Sequence, residues 1–442
     1  MKKTAVVTIS SNNYFAQALT LLQSLKVTNV SWDRYYAIAD NPDDDVVESL
    51  KKEKVSLIKL SELNIPDLKD MEFRYSIVEF NTAIKPFVLL KLLDTYDNVV
   101  YIDPDVYVYN ELSEVNEAFK NGYDFVMTPH FTRYFDEDEY RPRESDILQV
   151  GTYNLGFFGV ANSEDGIKAL TWWAKKLEKM CVDKKQEGIF VDQRWMDLIP
   201  GRHKMTYILR SEGYNVAPWN LNHRIVHRKN GKMLVNNDEL VFFHFSNLNP
   251  HDIGGVCQAQ NRYRLNDLGE ERSLYSQYAD EVILNQYDMW RAKKYSFSQF
   301  SDGRPIKNIF RTIYRDTPLI KKKLGEEDPF SAAELFYNKE FITPFIIDQF
   351  TAVHTELSHY LLNWNEKTTL AWLKFVLREE YDLDEEWIEY IVLSMFSHSY
   401  HNSTKRKMLI SSNTLAIMGK RYPLLLKLYR KRPRKKVERH ID

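Results

Sequence analysis

Cysteine is nearly missing from this chain: Cys181 and Cys257 are its two, set far apart among 442 residues. With no CxxC pair there is neither a disulfide framework nor a paired-thiol metal site, which fits a reducing compartment such as the cytoplasm. An excess of charge is lacking too. Sixty basic against 62 acidic side chains leave a formal net charge of -2, so there is no global pull toward nucleic acid or membrane. No run of about 18 apolar residues occurs, so no spanning helix is predicted. The short apolar stretch after Met1 is ended by Ser10-Ser-Asn-Asn13 before it could serve as a secretion signal. Internal repeats are absent. So are the two common glycine-rich phosphate cradles, GxxxxGK[ST] and a GxGxxG after the first strand. A phosphate bound by this chain would have to be met by a metal or by basic side chains.

What is present is core material. Hydrophobic residues make up 44% and aromatic residues 14%, enough for folded cores, and the length suits two or three domains. The first 125 residues alternate in character. Strands are predicted at Thr4–Ser10, Tyr35–Ala39, Val55–Leu60 and Val99–Ile102. Helices are predicted from Asn13, as N-cap of a segment carrying Phe15, Ala18, Leu19, Leu22 and Leu25, then over Val46–Lys52, and from Thr82 to Tyr96 with Pro86 in the first turn. Alternation of this kind implies a largely parallel sheet covered on both faces, with ligands bound beyond the carboxyl ends of the strands. Ser10, Asn12, Asp40 and the pair Asp103 and Asp105 all fall at such ends and should share one rim.

Asp103-Pro-Asp105 is the most informative run. Two carboxylates close a greasy strand, Val99–Ile102, and a second strand-like run, Val106–Tyr109, follows. Asp-Pro-Asp is also good turn chemistry, but unpaired carboxylates at the end of a buried strand are costly to desolvate. A divalent cation such as Mg²⁺ or Mn²⁺ removes that cost, and such ions usually also coordinate substrate phosphates.

Further along, Asp136–Ile147 is charged and without periodicity, and reads as a mobile loop or lid. Tyr153-Asn-Leu-Gly-Phe-Phe-Gly-Val160 is followed by a helix from Ser163 to Cys181 and a short helical segment over Ile189–Ile199. Leu240–Ser246 is a further buried strand. Ala217-Pro-Trp-Asn-Leu-Asn222 supplies an aromatic and amide cluster, Trp219 and Asn220 foremost, suited to stacking on a sugar or to core packing. Lys85, at the head of the helix that leads into the acid strand, could reach a phosphate or sugar or simply be a solvated helix start.

These segments, in this order, resemble the nucleotide-sugar-dependent glycosyltransferases of the GT-A fold, and most nearly the retaining, family 8-like branch. The matching segments are the opening strand and helix, Asp103-Pro-Asp105, Tyr153-Asn154-Leu-Gly156 and Val191-Asp192-Gln193, over roughly residues 1 to 260. The resemblance implies a GT-A, Rossmann-like mixed α/β sheet domain over 1–265. It implies Mn²⁺ or Mg²⁺ held by Asp103, Asp105 and His244. Gln193 and Asp192 would approach the transferred sugar, Asn154 and Gly156 would lie close to donor or acceptor, and Ser10, Asn12 and Asp40 near the nucleoside. The chain departs from the family after His244. Where the family usually runs His-x-x-Gly-x-x-Lys-Pro-Trp, this sequence reads His244-Phe-Ser-Asn-Leu-Asn-Pro250, which leaves the diphosphate's basic partner unassigned. The partners the resemblance implies are a nucleotide-sugar donor, uridine-based, and a glycan or glycoprotein acceptor.

Beyond 265–275 glycine becomes scarce and strands vanish; Thr369–Arg378 and Glu385–Phe396 are predicted helices, so a mainly α-helical domain is expected over 266–442. Its end, Lys420–Arg439, carries ten Lys or Arg against one acid, Glu438. It reads either as a solvated terminus or as a peripheral contact with the anionic inner face of a plasma membrane; no nucleic-acid fold accompanies it. Two rivals to sugar transfer remain open: a nucleotidylyltransferase, which normally has a glycine-rich basic loop after the first strand, and a catalytically silent glycan-binding scaffold, which would be marked by loss of a ligand acid.

Overall fold

Thr4–Ser10 forms β1, buried along its whole length, as expected of a central strand with helices on both faces. The computed structural model describes residues 3–134, 138–257, 260–354 and 366–402. Packing divides the chain after Phe297, into units 1–297 and 298–442.

In the first unit, β2 (Asp33–Ile38) and β4 (Asn98–Ile102) flank β1 in parallel, and β3 (Ser56–Ile58) extends the sheet beyond β2. On the other side β7 (Tyr153–Ala161) runs antiparallel to both β4 and β6 (Phe125–Pro129), and β10 (Thr206–Ile208) closes the edge parallel to β6. The seven-stranded order is β10-β6-β7-β4-β1-β2-β3. The sheet is therefore mixed, and its parallel half is the one carrying the acid strand.

The helix after β1 begins later than its expected cap. Asn12–Tyr14 make a 3₁₀ turn, and α1 spans Phe15–Thr28 with no side-chain cap. In α2 (Asp44–Glu53) the Asp43 carboxylate accepts from the Asp45 amide, and the helix ends at Lys54 in the left-handed conformation. The segment expected as one helix from Thr82 is broken in two. A Ser76/Glu79 capping box opens α4 (Ile77–Ala83), and α5 (Lys85–Leu93) carries Pro86 in its first turn, where a missing N–H costs nothing. Before them lies α3 (Leu68–Arg74).

After β4, β5 (Val106–Val108) leaves the main sheet. It pairs antiparallel with β14 (Phe242–His244), setting His244 opposite Val106. Between them come α6 (Ser113–Lys120), α7 (Glu144–Val150) and α8 (Glu164–Met180), then the small β8 (Asp183–Lys184) and β9 (Ile189–Phe190). The tail of the charged 136–147 stretch is thus the first turn of α7. The 189–199 stretch starts as a strand and holds only the single turn α9 (Gln193–Met196) before α10 (Ile199–Arg202). A three-stranded ribbon, β11 (Val226–Lys229), β12 (Lys232–Val235) and β13 (Asp238–Glu239), precedes β14. Two helices beyond the change of texture near 265–275, α11 (Glu271–Leu284) and α12 (Tyr287–Arg291), belong to this first unit. Phe245 stacks on Tyr278 of α11 at 4.1 Å, and Trp290 of α12 meets Phe15 edge-on at 4.7 Å.

The second unit is helical among its described residues, including Lys339–Val353, Glu366–Glu379 and Glu385–Asn402. Phe310 is its aromatic hub, with Phe336 at 5.6 Å and Trp387 at 5.7 Å. The basic stretch 420–439 lies outside the described residues. No described helix is long and apolar enough to cross a membrane.

Candidate active site

The carboxyl end of β4 carries the site. Asp103 and Asp105 leave the sheet on either side of Pro104, and the β5–β14 pairing returns the chain from a distant segment to place His244 beside them. One ligand atom from each of the three lies within 4.8 Å of the others. His244 Nε2 is 3.1 Å from Asp105 Oδ1 and 3.9 Å from Asp103 Oδ2. The shorter separation is near the ~3 Å expected between neighbouring ligands of an octahedral ion with ~2.1 Å bonds; the other is longer.

The electrostatics suit a cation. Burial alone would raise the Asp105 pKa, but His244 outweighs it and holds the group below the ordinary carboxylate value. For His244, burial opposes protonation, and Asp105 and Asp103 more than offset it, so the imidazole's pKa is raised. The pocket therefore draws positive charge to the point between the acids. Two carboxylates and an imidazole fit Mn²⁺ or Mg²⁺ as a donor set.

The surrounding residues fix this cluster. Tyr101 donates to Asp103 Oδ1 at 2.5 Å and Tyr14 to Asp105 Oδ2 at 3.3 Å. Gly156 is required by close approach: a Cβ there would stand 2.5 Å from His244 Cε1 and 2.8 Å from its Nδ1. Asn154 lies on the same strand with its Oδ1 3.3 Å from His244 Nδ1. A histidine ligand is oriented by what its second ring nitrogen meets, so Asn154 and Gly156 act on the site through His244.

Lys85 turns inward. Its ammonium lies 2.8 Å from Asp192 Oδ2 and 3.5 Å from Asp103 Oδ1, donates to the Leu155 carbonyl at 3.1 Å, and sits 4.3 Å above the Tyr101 ring. Burial disfavours its charge, but Asp103 and Asp192 prevail and raise its pKa. Asp192 is itself raised by burial, against the pull of Lys85. It follows Val191, a β-branched residue at φ +38°. Strain of that kind costs on the order of 1–3 kcal/mol and persists only where the surroundings over-determine it. Gln193 joins two strands of chain: its Oε1 accepts from the Leu155 amide at 3.0 Å and its Nε2 donates to the Val150 carbonyl at 2.9 Å.

A cavity of about 340 Å³ opens onto Asp103 and Asp105; Ser10, Ser11, Tyr14, Asn81 and Arg291 are also on its wall. Of the residues expected at the rim, Ser10 reaches it, with its hydroxyl 2.9 Å from that of Tyr36. Asn12 and Asp40 are engaged by the fold instead. Asn12 donates to the Asn41 carbonyl at 2.7 Å and accepts from the Asp43 amide at 3.2 Å. Asp40 accepts from the amides of Asn41 (2.8 Å), Ser296 (3.0 Å) and Asn12 (3.4 Å). Trp219 and Asn220 divide likewise. Asn220 is fully buried and hydrogen-bonded to Ala217, His130 and Asn215. Trp219 is half-buried with its ring centroid 5.1 Å from that of His244 in a T-shaped arrangement, and its indole N–H has no hydrogen-bond partner among the described residues. Sequence reasoning passed over Tyr14, Tyr101, Asn81 and Arg291. Tyr101 was accessible, since a polar hydroxyl two residues before Asp103 on a buried strand must find a partner. Arg291 carries no local signal.

No family model matches the chain. Two curated proteins of Bacillus subtilis (strain 168) are similar to it. The uncharacterized protein YfnD is 22% identical over 304 residues, 67% of this chain and 93% of its own length. The uncharacterized protein YfnF is 24% identical over 293 residues, 63% and 92%. Among solved structures, the galactosyltransferase LgtC, in complex with donor and acceptor sugar analogues, is 14% identical with a TM-score of 0.39, covering 62% of this chain and 95% of that one. The glycosyltransferase GlyE of Streptococcus pneumoniae TIGR4 is 17% identical with a TM-score of 0.38, covering 68% and 67%. Likenesses of that extent carry no argument about the chemistry, which rests on the residues above.

Proposed function

We propose that this chain is a metal-dependent glycosyltransferase that moves a sugar from a nucleoside diphosphate donor, uridine-based, onto a glycan or glycoprotein acceptor. The observation that carries the reading is the meeting of Asp103, Asp105 and His244, with the two acids on the wall of the cavity and His244 behind them. Bound there, Mn²⁺ or Mg²⁺ would act as a Lewis acid on the diphosphate. The chain's own residues do the rest. Tyr14 and Tyr101 hold the two carboxylates in place by donating to them. Lys85 keeps the charges of half-buried Asp103 and buried Asp192 together. Gln193 and Asp192, buried behind the cavity wall, would lie near the transferred sugar, and Trp219, whose indole N–H has no hydrogen-bond partner among the described residues, packs against His244.

Retention of configuration suits this set. The acceptor hydroxyl would bond to the anomeric carbon on the face from which the diphosphate departs, and the departing phosphate oxygen would take the hydroxyl proton. That route needs no enzyme nucleophile. Two carboxylates across a scissile bond, as hydrolysis requires, are not what Asp103 and Asp105 supply, because both converge with His244.

The test is release of nucleoside diphosphate from a panel of nucleotide sugars, with and without Mn²⁺. Silence across the panel, or release indifferent to chelator, overturns the reading. Pyrophosphate released from a nucleoside triphosphate would favour nucleotidylyl transfer instead.

A further inference from the structure

The geometry points to Arg291 as the cationic contact for the donor's diphosphate; this rests on the donor reading above. Among the described residues, the wall of the cavity holds two carboxylates, Asp103 and Asp105, and one cation, Arg291. Its guanidinium is exposed and without an ion-pair partner among those residues. The other nearby cation, Lys85, is buried and engaged by Asp192, Asp103 and the Leu155 carbonyl. No basic residue follows His244 through Pro250.

Charge balance shows why a second cation is needed. A divalent ion offsets Asp103 and Asp105 and leaves the diphosphate's own negative charge to be met. That charge grows as the bond to the sugar breaks, so a cation on the cavity wall favours departure. A guanidinium matches phosphate oxygens in a two-pronged fashion.

The root of Arg291 is held even though its head is free. Trp290, 2% exposed, is wedged against Phe15. Beyond α12, Lys293 pairs with Asp43 at 2.7 Å and the Ser296 amide donates to Asp40 at 3.0 Å. Residues 287–296 thus form a strap tied across the carboxyl ends of β1 and β2. Asp40, expected near the nucleoside, serves as an anchor of that strap.

The test is titration of the full chain, at fixed Mn²⁺, with uridine, guanosine, adenosine, cytidine and thymidine diphosphates, and with the monophosphate of whichever base binds. Arg291→Ala should weaken the diphosphate by about 10- to 100-fold, leave Mn²⁺ affinity within about twofold, and affect the monophosphate less. Arg291→Lys should recover part of the loss, and Arg291→Ala should lower the salt dependence of binding. Melting curves of both variants should match the parent; if Arg291→Ala is misfolded, Arg291→Lys and Arg291→Gln carry the comparison. Equal diphosphate affinity in folded variants overturns the role of Arg291 and leaves the donor reading standing. Failure of the parent chain to bind any of the five diphosphates overturns the donor reading and this inference with it.

Discussion

Asp40 follows β2 and Asp103 follows β4, so both acids occupy the same rim of one sheet, yet they live differently. Asp40 is 1% exposed and is held mainly by backbone, accepting from the amides of Asn12, Asn41 and Ser296 as well as from the Ser296 side chain. Burial still raises its pKa against those hydrogen bonds. Asp103 and Asp105 are held mainly by side chains: two tyrosine hydroxyls, His244 and Lys85. Backbone amides bind a carboxylate into the fold, whereas side-chain partners hold it in place and leave it able to share a cation. Position at the carboxyl end of a strand marks a possible ligand; the type of partner separates an anchor from a site.

The sharpest way to break this comparison is to remove one acid of each kind. Asp105→Ala should lower Mn²⁺-dependent release of nucleoside diphosphate by about 10²- to 10³-fold while costing less stability than Asp40→Ala; a larger loss of stability with activity retained would reverse the roles. A third rim position extends the comparison to β6. His130, just past that strand, is buried, which depresses its pKa to about 4. The unfolded chain binds its proton near pH 6.5, so the native state is penalised as the pH falls from about 6.5 to about 4. Over that window unfolding should become easier by about 3 kcal/mol on this account, and the slope should flatten in His130→Asn, as read by urea denaturation across pH.

Asp40→Ala should cost about 2–3 kcal/mol in the same assay, because it leaves buried amides unpaired. An Asp40→Ala chain of parental stability would remove the distinction between anchor and site. The smallest effect is expected at Gly156→Ala, whose methyl must displace His244. Mn²⁺ affinity should fall about 10-fold or somewhat more, measured by titration of the ion alone.

Much of the fold was legible locally. The limits of β1 match the predicted strand, and β2, β4, α2 and α8 lie within a few residues of expectation, because burial periodicity and caps are properties of short windows. The strands β6 and β10 went unread, being short and flanked by loops. Ile189–Phe190 forms a strand where the sequence predicts a helix, because a few apolar residues near a single turn do not separate the two periods. In the candidate site, Asp103 and Asp105 stand out in the sequence because unpaired carboxylates at the end of a buried strand are costly to desolvate. Lys85 was expected to reach a phosphate or sugar or to be a solvated helix start; it is buried, and its inward orientation depends on Asp192, which approaches from another part of the chain.

By itself, then, the sequence determined an alternating α/β domain, an acid pair closing a buried strand, and a helical second half. These follow from local hydrophobic period and from the desolvation cost of two adjacent carboxylates. Tertiary structure alone decided that β7 runs against β4 and β6, that β14 pairs with β5 to bring His244 to Asp105, and that Asp40 holds a strap carrying Arg291 to the cavity. Each of these depends on hydrogen bonds and packing between segments far apart in the chain, whose partners are chosen by the whole sheet and are written in no short stretch of it.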